Sequence, residues 1–433
     1  MNIFRRKKYI RDSQTMMFYS LLATIFFLPF SNIAATCTLI AGWIFYILKA
    51  HFDGRWGWKK TFMDIPLAVF VIMGFLSIIN SPQKAFSFYN YIHLVAKYVL
   101  LYYLTIQSIN DEKQIKKIFV VVAAAALIVI LYGFMQYIVG INTAGMGWTD
   151  KQAFPGVTMR IYSTWHNPNL LAGYLDMILA LLFGVFIIWK NKKARKIIAV
   201  LFIMAAICMG MTYARGACFS IAAAVAVYGI FYDRKILLPF VIFIAVVLYI
   251  DTTLFYRLLS VFMSMDTSSE LRIALWESTI AMILDHPFLG IGWGAYYFVY
   301  PTYDFYMQGH FIKIVHAHNM YLNIMAEIGI IGFLGYMTCF FSAMWYSLRN
   351  FKYLASSFLG GSLLGCGLAL MSLAFNGLTD YVLFNTDLSM FFWFTIGIIV
   401  VIMGSPQMQA IKNKLAMQHV GLTSLPDFPY EKY

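Results

Sequence analysis

Apolar stretches long enough to be membrane spans recur along the whole chain, and polar residues gather at the joints between them. The stretches fall near residues 16–30, 33–48, 62–79, 91–109, 118–139, 169–188, 197–213, 217–232, 236–254, 320–345, 358–375 and 388–403. A helix needs roughly 17–25 apolar residues to cross a ~30 Å hydrocarbon core, and the shorter stretches reach across with little tilt or local thinning. With no water in that layer, the backbone must satisfy its own hydrogen bonds, which a helix does within one segment. The pattern predicts an all-α polytopic protein of about twelve transmembrane helices, organised as one membrane-embedded domain over residues 1–433.

Charge sets the expected orientation. Basic residues cluster at 5–11, 49–60, 113–117, 190–196, 234–235, 349–352 and 412–432. With twelve crossings all these clusters share one face, and only Lys84, Lys151, Arg160, Arg215, Arg257, Arg272 and Lys313 lie on the other. Cytoplasmic loops retain Lys and Arg, so both termini are expected in the cytoplasm. The N-terminus resembles a signal peptide, but its apolar run continues past Pro29, Ser31 and Asn32 to Ala50, beyond the usual h-region. It is better described as a helical hairpin, since one helix there would split the basic clusters between faces.

Composition agrees with the pattern. Hydrophobic residues make up 61% of the chain and charged residues 12%, half or less of the charge that soluble domains carry. The net charge of +13 is explained by topology, and no basic run is long or interleaved enough to suggest nucleic acid. The five cysteines sit in or beside apolar stretches, without disulfide or CxxC spacing.

Two loops on the face poor in basic residues draw attention. One, around residues 140–168, carries Arg160 and the segment TWHNPN. The other, residues 254–319, is the longest polar stretch and is expected to be extracytoplasmic. Within it, Thr267 and Glu270 have capping-box spacing, which predicts a surface helix to about Asp285, stopped by Pro287. The GIGWG that follows comes after no strand, which argues against a dinucleotide fingerprint.

The loop ends in His316-Ala317-His318-Asn319, at the mouth of an apolar helix. Histidine titrates near neutrality and can take a proton from a sugar hydroxyl. The competing explanation is that Asn319 caps the helix while the histidines sit in headgroup water. HxH lacks the helical spacing of a zinc protease and has no HExxH carboxylate, so no metal is expected. Arg215 interrupts the apolar run within TYARG; an isolated arginine between apolar helices is a functional candidate, or else a snorkelling residue in a turn. Its planar cation suits a phosphate through two parallel hydrogen bonds. Arg160 and Arg272 share that face, and Arg272 lies one turn before Trp276 on the expected surface helix. Lys97, with His93 one turn earlier, adds a further cation that snorkelling explains equally well. Glu327 lies about 13 Å along the helix from His318, and an inter-helical hydrogen bond is the expected role.

At this point the chain resembles the O-antigen ligase and O-antigen polymerase family of bacterial envelope enzymes. The resemblance runs through IYSTWHNPNLLAGY after Arg160, TYARGA around Arg215, LRIALWESTIAMILDHPFLGIGWG around Arg272, and HAHNMYLNIMAEIGIIG. It implies an inverting, metal-independent glycosyltransferase of the inner membrane with its active site facing the periplasm and no cofactor. The implied donor is a glycan on undecaprenyl diphosphate, and the acceptor is a lipid A–core sugar for ligases or another lipid-linked repeat for polymerases. A related branch glycosylates protein. His318 matches the catalytic histidine, with His316 as its neighbour. Arg215, Arg272 and Arg160 match donor-binding positions; Lys97 is expected to add charge to the same donor site, and Asn319, Glu327 and Asn167 are expected to be structural near the site. The HxHN form leans toward the ligase. A lipid-linked oligosaccharide transporter is the alternative of another class, but its polar residues should lie near mid-bilayer in matching halves.

Overall fold

The structure, a computed structural model, describes residues 3–141, 143, 157, 159–259, 267–304, 314–354 and 356–418. Lys151, Lys313, the Thr267 side chain of the expected capping box and the basic tail beyond residue 418 lie outside the described residues. Among the described residues there is helix and connecting backbone but no strand. The helices are α1 Ile3–Phe27, α2 Asn32–Asp53, α3 Asp64–Ser77, α4 Lys84–Ser108, α5 Glu112–Val139, α6 Pro168–Ile188, α7 Lys192–Gly210 and α8 Arg215–Phe231. They continue as α9 Leu237–Ile250, α10 Thr252–Leu259, α11 Thr267–Asp285, α12 Tyr296–Val299, α13 Met320–Asn350, α14 Phe358–Asn376, α15 Thr386–Met403 and α16 Pro406–Gln418.

The apolar stretches fall largely in helices, except that the one expected over 236–254 is broken at Asp251 between α9 and α10, and six described helices (α2, α5, α6, α13, α14 and α15) are long and apolar enough to cross a membrane. α3 and α8 are shorter apolar helices, while α9 and α10 meet at a bend of 109°. α6, α14 and α15 bury most of their side chains and form the centre, whereas α9 buries none and is apolar all round, as a lipid-facing helix should be. The expected surface helix is present as α11, ending at Asp285 just before Pro287.

Small residues set two close contacts. A Cβ on Gly184 of α6 would lie 2.2 Å from the Gly365 nitrogen of α14, and one on Gly361 would lie 2.9 Å from Val185 Cα. The α6 and α14 backbones therefore touch, as small-residue seams in membranes allow. The second contact explains GIGWG. Gly329 breaks α13 with φ 67° and ψ 175°, and residues 287–294 dock into the break. Ile291 N–H donates to Ala326 O at 2.8 Å, Gly292 N–H to Glu327 O at 3.1 Å, and Ile330 N–H to Pro287 O at 2.8 Å. Gly290, Gly292 and Gly294 all have positive φ, and a Cβ on Gly290 would lie 2.5 Å from the Glu327 carbonyl carbon. Here the glycines serve close backbone approach.

Candidate active site

The residues singled out by sequence converge at one end of the bundle, where α6, α8, α13 and α15 begin and α7 and α14 finish. Asn319 caps α13 as expected: its side-chain oxygen accepts from Tyr321 N–H at 3.0 Å and Leu322 N–H at 3.1 Å, and its amide donates to Leu378 O. Asn167 does the same for α6, accepting from Asn169 N–H at 2.8 Å, with Pro168 at the first helical position where its missing N–H costs nothing.

His318 is held between these elements with φ 49°. Its Nδ1 lies 3.1 Å from Asp380 Oδ1 in the α14–α15 connection. The other carboxylate oxygen accepts from Asn169 Nδ2 at 3.1 Å, and Asn169 Oδ1 accepts from Arg160 Nη2 at 2.8 Å. A single polar chain therefore runs Arg160–Asn169–Asp380–His318. Burial raises the Asp380 carboxyl, but the His318 hydrogen bond, with the charges of His318, His316 and Arg272, outweighs it and holds the group well below the usual carboxylate range. An ionised Asp380 accepts a hydrogen bond from Nδ1–H of His318, and Nε2 of a neutral ring is then an acceptor.

His316 is buried against Phe384, with ring centroids 4.6 Å apart. Its Nδ1 accepts from the His318 backbone N–H at 3.2 Å, which fixes its proton on Nε2. Burial, the His318 ring and Arg272 push the imidazole down to about 3, against the raising effect of Asp380. It is a poor base and a good brace.

Among the described residues His316, His318 and Asp380 present ligand atoms within 4.8 Å of one another, a spacing that can hold a metal ion. Sequence spacing left the histidines without a carboxylate, and the fold supplies one from 62 residues away. Both Nδ1 atoms are already engaged as hydrogen-bond partners, which a metal at those atoms would displace.

The arginines divide into two groups. Arg272 on α11 acts electrostatically on both His316 and Asp380. Arg160 is buried, and its Nε donates to Thr212 O at 2.7 Å. Burial and the guanidiniums of Arg257 and Arg215 lower its pKa, with Asp380 opposing, yet it remains a cation at neutral pH. Arg215 opens α8, and a Cβ on the adjacent Gly216 would lie 3.1 Å from Thr379 Oγ1, next to Asp380. Lys97 is committed elsewhere: Nζ donates to Asn32 Oδ1 at 2.8 Å, and Asn32 in turn donates to Asp387. Glu327 accepts from the Gly294 backbone N–H at 3.1 Å, so its partner is the glycine loop rather than the neighbouring helix expected from sequence.

Left-handed backbone at a non-glycine residue is uncommon and costs about 1–3 kcal/mol. Ser163, His166, Tyr213 and His318 all adopt it, at φ 49–55°. They fall in the three motifs that meet here. Asp380, Asn169 and Arg257 escaped the sequence analysis as site residues. The signal for Asp380 was NGLTD, a polar interruption between two apolar stretches on the same face.

Residues 199–337 match the family model of the O-antigen ligase. The match covers α8, α11, the glycine loop and HAHN, and it supports assignment to the O-antigen ligase and polymerase family. No curated protein matches the chain.

Proposed function

Taking residues 199–337 as an O-antigen ligase segment, we propose that the protein is a multi-pass glycosyltransferase of the bacterial inner membrane. It moves a glycan from undecaprenyl diphosphate to a lipid A–core sugar on the periplasmic face, with about twelve crossings and both termini in the cytoplasm. The observation that carries this is the His318–Asp380 pair at the end of a chain reaching Arg160.

In the proposed reaction, Asp380 holds His318 in the tautomer with Nε2 unprotonated. Nε2 takes the proton of an acceptor hydroxyl as its oxygen bonds to the anomeric carbon of the donor. The carbon–oxygen bond to the diphosphate breaks on the opposite face, and the electron pair leaves with undecaprenyl diphosphate. Arg215, Arg160 and Arg272 stabilise that developing charge in a partly dehydrated site, where fixed cations are most effective. They take the place a metal occupies in other transferases, and the sugar–diphosphate bond supplies the energy. His316 braces the His318 backbone.

A transfer assay in nanodiscs with lipid-linked donor and lipid A–core acceptor tests this. His318→Ala should lower transfer roughly 10²–10⁴-fold while the protein stays folded, the range a general base contributes. Near wild-type transfer by that variant would remove His318 from the chemistry. The polymerase reading shares every residue named here. A deletion strain separates the two: a ligase defect leaves bare lipid A–core and long polymer on the carrier, a polymerase defect leaves single repeats.

A further inference from the structure

The short turn at residues 211–214, between α7 and α8, gathers arginines from three parts of the chain. The Thr212 carbonyl accepts Nε–H of Arg160 at 2.7 Å, and the next carbonyl, that of Tyr213, accepts Nε–H of Arg257 at 2.9 Å. Two residues on, Arg215 opens α8, whose N-cap position, Ala214, has no side chain able to cap it. Arg160 and Arg257 are each only 6% exposed.

Arg257 reaches this place through a sharp corner. The chain bends by 109° between α9 and α10, with Asp251 at the bend. The Asp251 carboxylate accepts the Tyr213 hydroxyl at 3.2 Å and Leu254 N–H at 2.9 Å. Tyr213 is therefore gripped at its hydroxyl by Asp251 and at its carbonyl by Arg257, and it takes a left-handed φ of 51°. A helix bend and an unfavourable backbone together bring Arg257 beside Arg160, whose guanidinium feels the charges of both Arg257 and Arg215. A multiply charged anion is the ligand best matched to guanidiniums gathered in this way. The α8 N-terminus adds partial positive charge at the same spot.

We propose that Arg257 is a donor-binding residue, completing with Arg160 and Arg215 a three-guanidinium seat for a diphosphate and making the site prefer diphosphate over monophosphate. The proposal rests on the transferase function above and extends it to a residue on α10. The released polyprenyl diphosphate carries the same group as the donor, so it occupies the same seat and inhibits competitively.

The test uses full-length protein in nanodiscs, with farnesyl diphosphate and farnesyl monophosphate as probes and calorimetric titration as the readout. Wild type should bind the diphosphate roughly tenfold or more tightly than the monophosphate, since each bidentate guanidinium contact is strong. Arg257→Ala should erase most of that preference and leave monophosphate affinity within about threefold. Thermal unfolding without ligand reports whether each variant folds. If the alanine variant does not, Arg257→Lys decides: it should still lose several-fold in preference, because an ammonium cannot make two parallel bonds. A folded Arg257 variant with the full preference overturns the proposal and leaves the transferase function standing. A wild type that binds neither probe overturns both.

Discussion

Asp380→Asn changes the chemistry of the His318 pair while keeping its volume. The carboxylate accepts on both sides, from His318 at Oδ1 and from Asn169 Nδ2 at Oδ2. An amide has one oxygen, and two donors at Oδ1 claim it, His318 and the Tyr381 backbone N–H at 2.8 Å, which turns the new N–H₂ toward the Asn169 donor. His318 then keeps its tautomer but loses the anion that stabilises the imidazolium formed when Nε2 receives the substrate proton. A hydrogen bond to a charged group is worth about 1.5–3 kcal/mol, or roughly 10–150-fold in rate. The His318 side chain is 32% exposed and the Asp380 side chain 11%, so solvent screens part of the pair. The expected loss is therefore roughly 10–10² in kcat, at or below the lower end of what a base contributes. Donor KM should move by less than about threefold, because the interaction acts on the proton transfer rather than on binding. Single-turnover transfer in nanodiscs, at saturating donor, measures it. In an His318→Ala background the Asp380 change should add nothing further, since the two act as a unit. A kcat near wild type, or a loss confined to KM, would refute this role for Asp380.

Other outcomes follow from the same geometry. Arg215→Lys should keep the protein folded but lose most transfer, because the planar two-pronged contact is gone; normal transfer would reduce Arg215 to a turn anchor. Chelators should leave transfer by purified protein unchanged, and a loss reversed by added zinc would instead assign His316, His318 and Asp380 as metal ligands. Gly329→Ala should destabilise by at least about 3 kcal/mol, read as a fall in thermal midpoint, since its backbone is open only to glycine and a Cβ would sit 2.1 Å from the Phe288 carbonyl oxygen. Folded His316 sits at about 3 against an ordinary ~6.5, so the unfolded chain binds more protons between those values. The stability it contributes is whole above pH ~6.5 and is lost as pH falls toward 3, and His316→Asn should flatten that acid limb of the thermal midpoint. An impermeant maleimide should label Thr302→Cys in intact spheroplasts and Gln407→Cys only after lysis, both in a cysteine-free background; the reverse would invert the proposed topology.

Much of this was legible in local pattern. The apolar stretches fell largely in helices, Asn319 capped as its position suggested, and α11 stopped at the proline, because each depends on neighbours a few residues away. The pairing of His318 with Asp380 joins residues 62 apart and that of Asn169 with Asp380 joins residues 211 apart, and no periodicity carries such information. Glu327 shows the same limit: its intramembrane position was plain, but its partner depended on a break in α13 that only the docked glycine loop explains. Arg257 was visible on the sparse face, and only the bend at Asp251 makes it a neighbour of Arg160.

The glycine seam between α6 and α14 reaches further than packing. Gly184 lies 15 residues along α6 from Asn169, about 22 Å away, and the partner helix leads directly into the connection that carries Asp380. The seam thus acts as the fulcrum of a pair of levers whose tips are the two residues that must meet. Because the fulcrum is backbone against backbone, no side chain lies between the two helices there to yield. A single methyl at Gly184, far from any sugar, would pry those tips apart.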